Sequence, residues 1–159
     1  MRLLLLFTTF LFLGSSFGQK DFDTLFGVPG EIRLDSITSQ PITNEFLLGK
    51  WKFHSLELEN KSLEKVLTEN SEKLEFKFYI DHKMRWVDGL DTANVYWDLV
   101  PKEEIYDLRV YQPLEENKLH ANPAVLVVHK LSRKKLIIQM SFKGVEELET
   151  PFYVIFKRK

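Results

Sequence analysis

Three alternating side chains, Asp107, Arg109 and Tyr111, are the strongest candidates in the chain for binding a polar group. Alternate residues of a β-strand point to the same side of a sheet, so a strand here would place all three on one face. An arginine buried beside aromatic rings suits a carboxylate or another anionic head group. The pattern predicts a site for a small apolar or anionic amphipathic ligand, lined by this trio together with Arg85, Trp86 and Trp97.

Two simpler interpretations of the same stretch stay open. Asp107 and Arg109 could form a salt bridge with each other, because they lie two residues apart on one face. Alternatively, the strand could be turned the other way. The trio would then meet solvent, and the buried residues would be Tyr106, Leu108 and Val110.

The chain carries no motif for catalysis or for binding a metal or cofactor. Its histidines are scattered, and no two have the spacing of metal ligands: His54, His82, His120 and His129. Cysteine is absent, which excludes disulfides, thiolate ligands and thiol nucleophiles. There is neither a Gly-x-Ser-x-Gly stretch nor a glycine-rich phosphate loop. We therefore expect a protein that is not an enzyme and has no cofactor.

Residues 1–18 have the pattern of a cleavable signal peptide. Arg2 supplies positive charge, Leu3–Leu13 is almost wholly apolar, and small residues precede Gln19. At about 1.5 Å per helical residue this run reaches roughly half-way across a bilayer core. We expect cleavage after Gly18, export to the periplasm or the cell exterior, and no membrane span. A lipoprotein anchor would need a cysteine. Exported eukaryotic domains of this size often carry disulfides, so their absence favours a bacterial envelope protein.

The charge balance predicts no nucleic-acid partner. Lysine and arginine together nearly equal aspartate and glutamate, and the formal net charge is −1. A near-neutral chain gives no overall electrostatic signature for nucleic acid or an anionic membrane. The most basic stretch, Lys130–Lys135, falls where a hairpin turn is expected, which indicates a solvated turn.

From Phe46 onward, apolar and polar residues alternate with the period of half-buried strands. The clearest case is Leu74, Phe76, Phe78 and Ile80, with charged or polar residues between them. Turn residues divide the region into eight predicted strands: Gly49–Leu58, Lys73–Ile80, Lys83–Asp88, Ala93–Val100, Glu104–Gln112, Ala124–Lys130, Lys135–Phe142 and Phe152–Lys157.

Most links between these strands are too short for parallel neighbours. The predicted fold is all-β: an eight-stranded antiparallel up-and-down barrel over residues 46–159, whose closure removes exposed sheet edges. One short helix, over 62–70, follows the first strand, and Ser62 could cap it. A two-sheet sandwich is the alternative. Residues 19–45 form an extension, in which Ile32–Asp35 could add an edge strand.

A Gly-x-Trp motif, Gly49-Lys50-Trp51, opens the first predicted strand and resembles the calycin group of barrels. The pattern of the later strands is similar to the bacterial lipocalin-like domains, notably in Leu74-x-Phe76 and Tyr96-Trp97-x-Leu99. The resemblance implies that Trp51 closes one end of the barrel beneath an arginine of the last strand. Arg158 has the parity for that position, although it could instead end a frayed tail. The Thr-Asp-Tyr motif and the disulfide of larger lipocalins are missing.

Alternation also directs many large rings into the barrel: Trp51, Phe53, Phe76, Phe78, Trp86, Trp97, Tyr111, Phe152 and Phe156. Each ring buries about 150–250 Å², so we expect a mostly packed interior with a cup at the mouth opposite Trp51. The long link 113–123 could be a lid over that mouth or an idle insertion.

In the last three predicted strands, apolar residues point to both faces of the sheet. Their outer face should therefore be covered by the extension, a partner chain or a second copy. The expected function is binding of a small hydrophobic or amphipathic ligand. The alternative is a filled-barrel interaction or structural module of the cell envelope, without a small-molecule ligand.

Overall fold

A computed structural model describes residues 30–114, 117–141 and 150–159. The predicted signal peptide, the start of the extension and the predicted strand end at Phe142 lie outside the described residues. The described strands are β1 (Glu31–Arg33), β2 (Gly49–Glu57), β3 (Leu74–Phe78), β4 (Lys83–Asp88), β5 (Asp91–Pro101), β6 (Tyr106–Tyr111), β7 (Lys118–His120), β8 (Ala124–Leu131), β9 (Lys135–Met140) and β10 (Phe152–Arg158). The helices are α1 (Asp35–Thr38), a 3-10 turn (Glu45–Leu47) and α2 (Lys61–Ser71).

Eight antiparallel strands close into a barrel in the order β10-β2-β3-β4-β5-β6-β8-β9. Neighbours in the barrel follow one another along the chain apart from the excursion through β7, as in an up-and-down meander. The predicted fold class is therefore confirmed, and the eight strands match the predicted segments closely. Closure leaves no edge in this sheet, which is how β-barrels avoid edge-to-edge association.

The two ends of the barrel follow from the strand directions. Strand β2 runs from Trp51 at one end, called here the closed end, to Glu57 at the other, called the mouth. Helix α2 connects β2 to β3 at the mouth, and Leu67 of this helix is buried in the barrel core. Its N-cap is Asn60, whose side chain accepts a hydrogen bond from the backbone of Leu63; the prediction that Ser62 caps the helix was wrong.

The interior is filled by aromatic rings. Phe76 lies 4.7 Å from Phe156 and 5.0 Å from Trp86, centroid to centroid, and Phe78 lies 5.5 Å from Trp97. Rings at these distances are in van der Waals contact, so no ligand fits between them. The predicted packed interior is what the structure shows.

Part of the extension is docked on the barrel. Strand β1 pairs with β7 of the long link, and Ile37 packs with Tyr111 and Leu119 in a second apolar cluster. The link 113–123 thus holds the extension in place. The expectation that the extension covers the late strands was wrong for its described part, which packs beside β5 and β6. On the late strands, Val125 is 45% exposed.

Candidate functional site

The closed end is built around Trp51 and Arg158, which the structure brings together. The guanidinium carbon of Arg158 lies 4.6 Å from the Trp51 ring centroid, within cation–π range. The guanidinium also donates hydrogen bonds to the backbone carbonyls of Arg133 (2.6 Å), Leu48 (2.7 Å) and Phe46. Arg158 therefore joins β10 to the segment just before β2 and to the β8–β9 turn. It does not end a frayed tail.

The glycine of the Gly-x-Trp motif has two physical reasons to be glycine. Gly49 has a φ of +110°, a backbone conformation that residues other than glycine rarely adopt. A β-carbon at this position would lie 2.9 Å from Nη1 of Arg158. Gly49 therefore leaves the space through which Arg158 reaches the carbonyl of Leu48.

His82 connects three parts of the molecule near the same end. Its side chain is buried, with Nδ1 2.9 Å from the carbonyl oxygen of Trp97 and Nε2 2.9 Å from that of Gln40. The residue also has a φ of 60°, a conformation that histidine tolerates better than most residues. His82 thus ties the extension to the turn between β3 and β4.

Replacing His82 with alanine is expected to release the extension locally. Both carbonyl contacts are lost, and alanine tolerates the positive φ less well than histidine does. We therefore expect the free energy of local unfolding of the extension to fall by about 1–3 kcal/mol. Amide hydrogen exchange of residues 31–41 should accelerate more than that of the barrel strands. His54→Ala, at an exposed position on β2, is the control. Equal exchange rates in residues 31–41 of H82A and the wild type would contradict the assigned role.

The predicted trio on β6 does not point into the barrel. Cross-strand partners share a face, and Trp97, which is wholly buried, pairs with Val110, so the inward residues of β6 are Leu108 and Val110. Asp107, Arg109 and Tyr111 therefore lie on the outer face. The alternative in which the strand is turned the other way is correct.

Each member of the trio is engaged on that outer face. Asp107 pairs with Lys102 at 2.5 Å, not with Arg109, and Arg109 lies opposite Asp98 of β5. Burial raises the pKa of Tyr111; a hydrogen bond with Arg109 opposes the rise and the charge of Asp98 adds to it. Of the three, Tyr111 contacts the extension, through the cluster with Ile37 and Leu119, and none of them forms a pocket inside the barrel.

The other predicted ligand contacts are also separated from one another. Trp86 and Trp97 are packed into the core, and the indole nitrogen of Trp97 donates to the carbonyl of Lys83 at 3.0 Å. Arg85 is exposed on the outer face, opposite Lys77. The predicted ligand site through these six residues is not assembled.

A groove of about 520 Å³ does open at the mouth, where β2 ends and β10 begins. Its volume lies within the range of about 300–1,000 Å³ that is typical of small-molecule sites. Pro151 and Tyr153 provide its accessible apolar surface, and the nearly buried side chains of Leu58 and Phe152 lie beneath them. The remaining lining residues are polar: Glu57, Glu59, Asn60, Lys61 and Thr150.

Helix α2 positions the polar side of this groove. The Glu64 carboxylate accepts hydrogen bonds from the backbone of Leu58 and from the Lys61 ammonium, each at 2.8 Å. These two contacts hold the pKa of Glu64 below its usual value, and the backbone hydrogen bond has the larger effect. Lys61 is thus already paired, while Glu57 and Glu59 are exposed. The groove combines an apolar floor with an acidic rim.

Sequence reasoning placed a cup at this mouth but missed the residues that form the groove. The only local signal was the Asn60 cap ahead of the helix, because the walls come from chain segments that pairing of β2 with β10 brings together. Among residues 30–114, 117–141 and 150–159, no cluster of three or more His, Asp or Glu side chains could hold a metal ion. In the same ranges, no helix is long and apolar enough to span a membrane.

Comparison with known proteins gives one solved structure of similar architecture. A lipocalin-like protein from Bacteroides uniformis covers 72% of this chain and 99% of its own length, with 14% sequence identity and a TM-score of 0.41. No family model matches the chain. No curated protein matches it significantly either.

Proposed function

We propose that this chain is an exported, bacterial binding protein of the calycin group that is not an enzyme and holds a small amphipathic ligand in the groove at the mouth. The observation that carries the proposal is the groove itself, in which the apolar surface of Pro151 and Tyr153 adjoins a charged rim. Export is supported by the pattern of residues 1–18, and the absence of catalytic activity by the lack of any catalytic motif in the sequence. The Gly-x-Trp motif supports the calycin relationship.

The rim favours a ligand whose polar end is neutral or cationic. Glu57 and Glu59 are exposed beside the groove, whereas the charge of Lys61 is offset by Glu64 at 2.8 Å. Like charge at a partly desolvated rim disfavours an anionic head group. This preference differs from the anionic ligand predicted around Arg109.

A matched pair of amphiphiles tests the proposal. Decyltrimethylammonium and decyl sulfate have the same alkyl chain and opposite charges, and each is titrated below its critical micelle concentration while amide NMR shifts are followed. We expect the cation to shift the amides of Leu58 and Tyr153. Replacing both rim carboxylates, in Glu57→Gln/Glu59→Gln, should weaken its binding about fivefold, since each exposed pair contributes up to about 1 kcal/mol.

The control removes the same charge elsewhere on the chain. Glu69→Gln/Glu72→Gln alters exposed residues at the far end of α2 and should leave the affinity unchanged. Equal shifts of the groove amides by decyl sulfate would refute the charge preference. No shift of these amides by either amphiphile would refute the ligand site.

The packed interior favours a second candidate, a filled-barrel interaction or structural module. Rings in contact across the barrel leave no room for the enclosed ligand of a carrier. Native mass spectrometry of the protein purified from its host distinguishes the two: a bound small molecule supports the first proposal, and a dimer or heteromer free of small molecules supports the second.

A further inference from the structure

Six cations lie in two rows on the outer surface of the barrel near its closed end. The rows follow cross-strand pairing, so that cations from distant parts of the chain become direct neighbours. The first row crosses β9, β10 and β2, and the second crosses β2, β3 and β4. We call these residues the basic face: Lys135, Lys157 and Lys52 in the first row, and Lys50, Lys77 and Arg85 in the second.

Within the described ranges, one carboxylate adjoins the basic face. Glu75 continues the first row and pairs with Lys50 at 2.9 Å and with Lys159 at 3.4 Å. Burial acts to raise the pKa of Glu75, but these ion pairs outweigh it and lower the pKa, so the carboxylate stays charged. In the described part of the chain, no acidic side chain forms an ion pair with any cation of the first row, or with Lys77 and Arg85 of the second.

This arrangement opposes the stability of the barrel. Like charges directly opposite each other on neighbouring strands are destabilising, and Lys157 and Lys77 each lie between two other cations. The whole chain has a net charge of −1, so the cluster does not reflect a general excess of lysine and arginine. An external polyanion would neutralise the rows and remove the repulsion.

The shape of the basic face indicates what kind of polyanion fits. Its rows run around the barrel, from strand to strand at about 4.8 Å, over five of the eight strands. A flat lipid surface would contact only the outermost part of this curved barrel surface, whereas a flexible linear polymer can follow both rows.

The side chains around the face argue against single-stranded nucleic acid. Such strands are bound through exposed aromatic rings on which the bases stack. Among the described residues, one ring lies within cation–π distance of these cations: half-buried Tyr79, 4.8 Å from the ammonium of Lys77. We propose that the basic face binds a linear acidic polysaccharide, whose repeated carboxylate or sulfate groups pair with both rows.

The test removes the central cation of each row. Binding of polygalacturonate and dextran sulfate to the wild type and to Lys157→Gln/Lys77→Gln is measured at several salt concentrations, with neutral dextran as the uncharged polymer. We expect binding of both acidic polymers, not of dextran, with an affinity that falls as salt is raised. The variant should bind about tenfold more weakly, since each lost contact removes a salt-dependent part of the binding free energy. Its Tm should equal or exceed that of the wild type, because four like-charge contacts are removed.

The control variant Arg33→Gln/Lys65→Gln loses the same charge at exposed positions away from the basic face and should bind like the wild type. Unchanged binding by Lys157→Gln/Lys77→Gln, or equal losses in both variants, would overturn the proposal. Equal or tighter binding of oligothymidylate or of vesicles containing phosphatidylglycerol would overturn the assigned class of partner. The groove is a separate site, so decyltrimethylammonium should shift the groove amides equally in both variants.

Discussion

Replacing Trp51 with alanine is expected to lower the free energy of unfolding by about 3–5 kcal/mol, the range for removal of a large buried ring. Trp51 is wholly buried, and its indole nitrogen donates to the carbonyl of Leu47 at 2.8 Å. Truncation leaves a cavity at the closed end, an unpaired carbonyl and a guanidinium without its ring. Denaturant unfolding followed by far-UV circular dichroism measures the change.

Two further variants make the result for Trp51 interpretable. Leu90→Ala alters a fully exposed residue in the β4–β5 turn and should change the unfolding free energy by no more than about 0.5 kcal/mol. Trp51→Phe keeps an aromatic ring and should lie between alanine and the wild type. Wild-type stability in Trp51→Ala would show that the closed end does not depend on this ring.

Replacing Gly49 with alanine is expected to cost about 2–3 kcal/mol, the second largest effect. One part comes from holding a side chain at a φ of +110°, which typically costs about 1–3 kcal/mol. The other part comes from the contact at 2.9 Å between the new methyl group and Nη1 of Arg158, which would push the guanidinium off its carbonyl partners. The same denaturant experiment measures the sum.

A matched glycine separates the two parts. Gly89 also has a positive φ, of 62°, but its nearest neighbour to an added β-carbon is Cδ of Lys73 at 3.6 Å, an ordinary contact. Gly89→Ala should therefore show the cost of a side chain at a positive φ in the left-handed region, without a clash. In a double-mutant cycle, Gly49→Ala should be less costly in an Arg158→Ala background, because the clash is absent there. If Gly49→Ala costs no more than Gly89→Ala and shows no coupling to Arg158, the close approach has no energetic consequence.

The β6 strand shows where prediction from sequence failed and why. Tyr106, Leu108 and Val110 alternate with Asp107, Arg109 and Tyr111, so the local pattern left both parities open. The predicted site took Tyr111 and the two charged residues as inward. Tyr111 is buried, but on the outside, against Ile37 and Leu119. Burial by the docked extension is a long-range contact that no local period reveals.

The strands, the antiparallel meander and the filled interior could all be predicted from the local pattern of residues. Alternation is a local property of the chain, and the short links leave few ways to connect the strands. The pairing of Trp51 with Arg158 was predicted from the Gly-x-Trp motif and from the alternation of the last strand. The hydrogen bonds of Arg158 to three carbonyls, however, appear only in the folded chain.

Which side chains become neighbours depends on how the sheet closes. The near-neutral composition predicted no nucleic-acid partner and gave no sign that register places Lys157 between Lys52 and Lys135. The groove likewise needs Leu58 and Phe152, nearly a hundred residues apart, to become neighbours at the mouth. The physical reason is that alternation sets the face on which a side chain lies, whereas closure and register of the sheet set its neighbours across the strands.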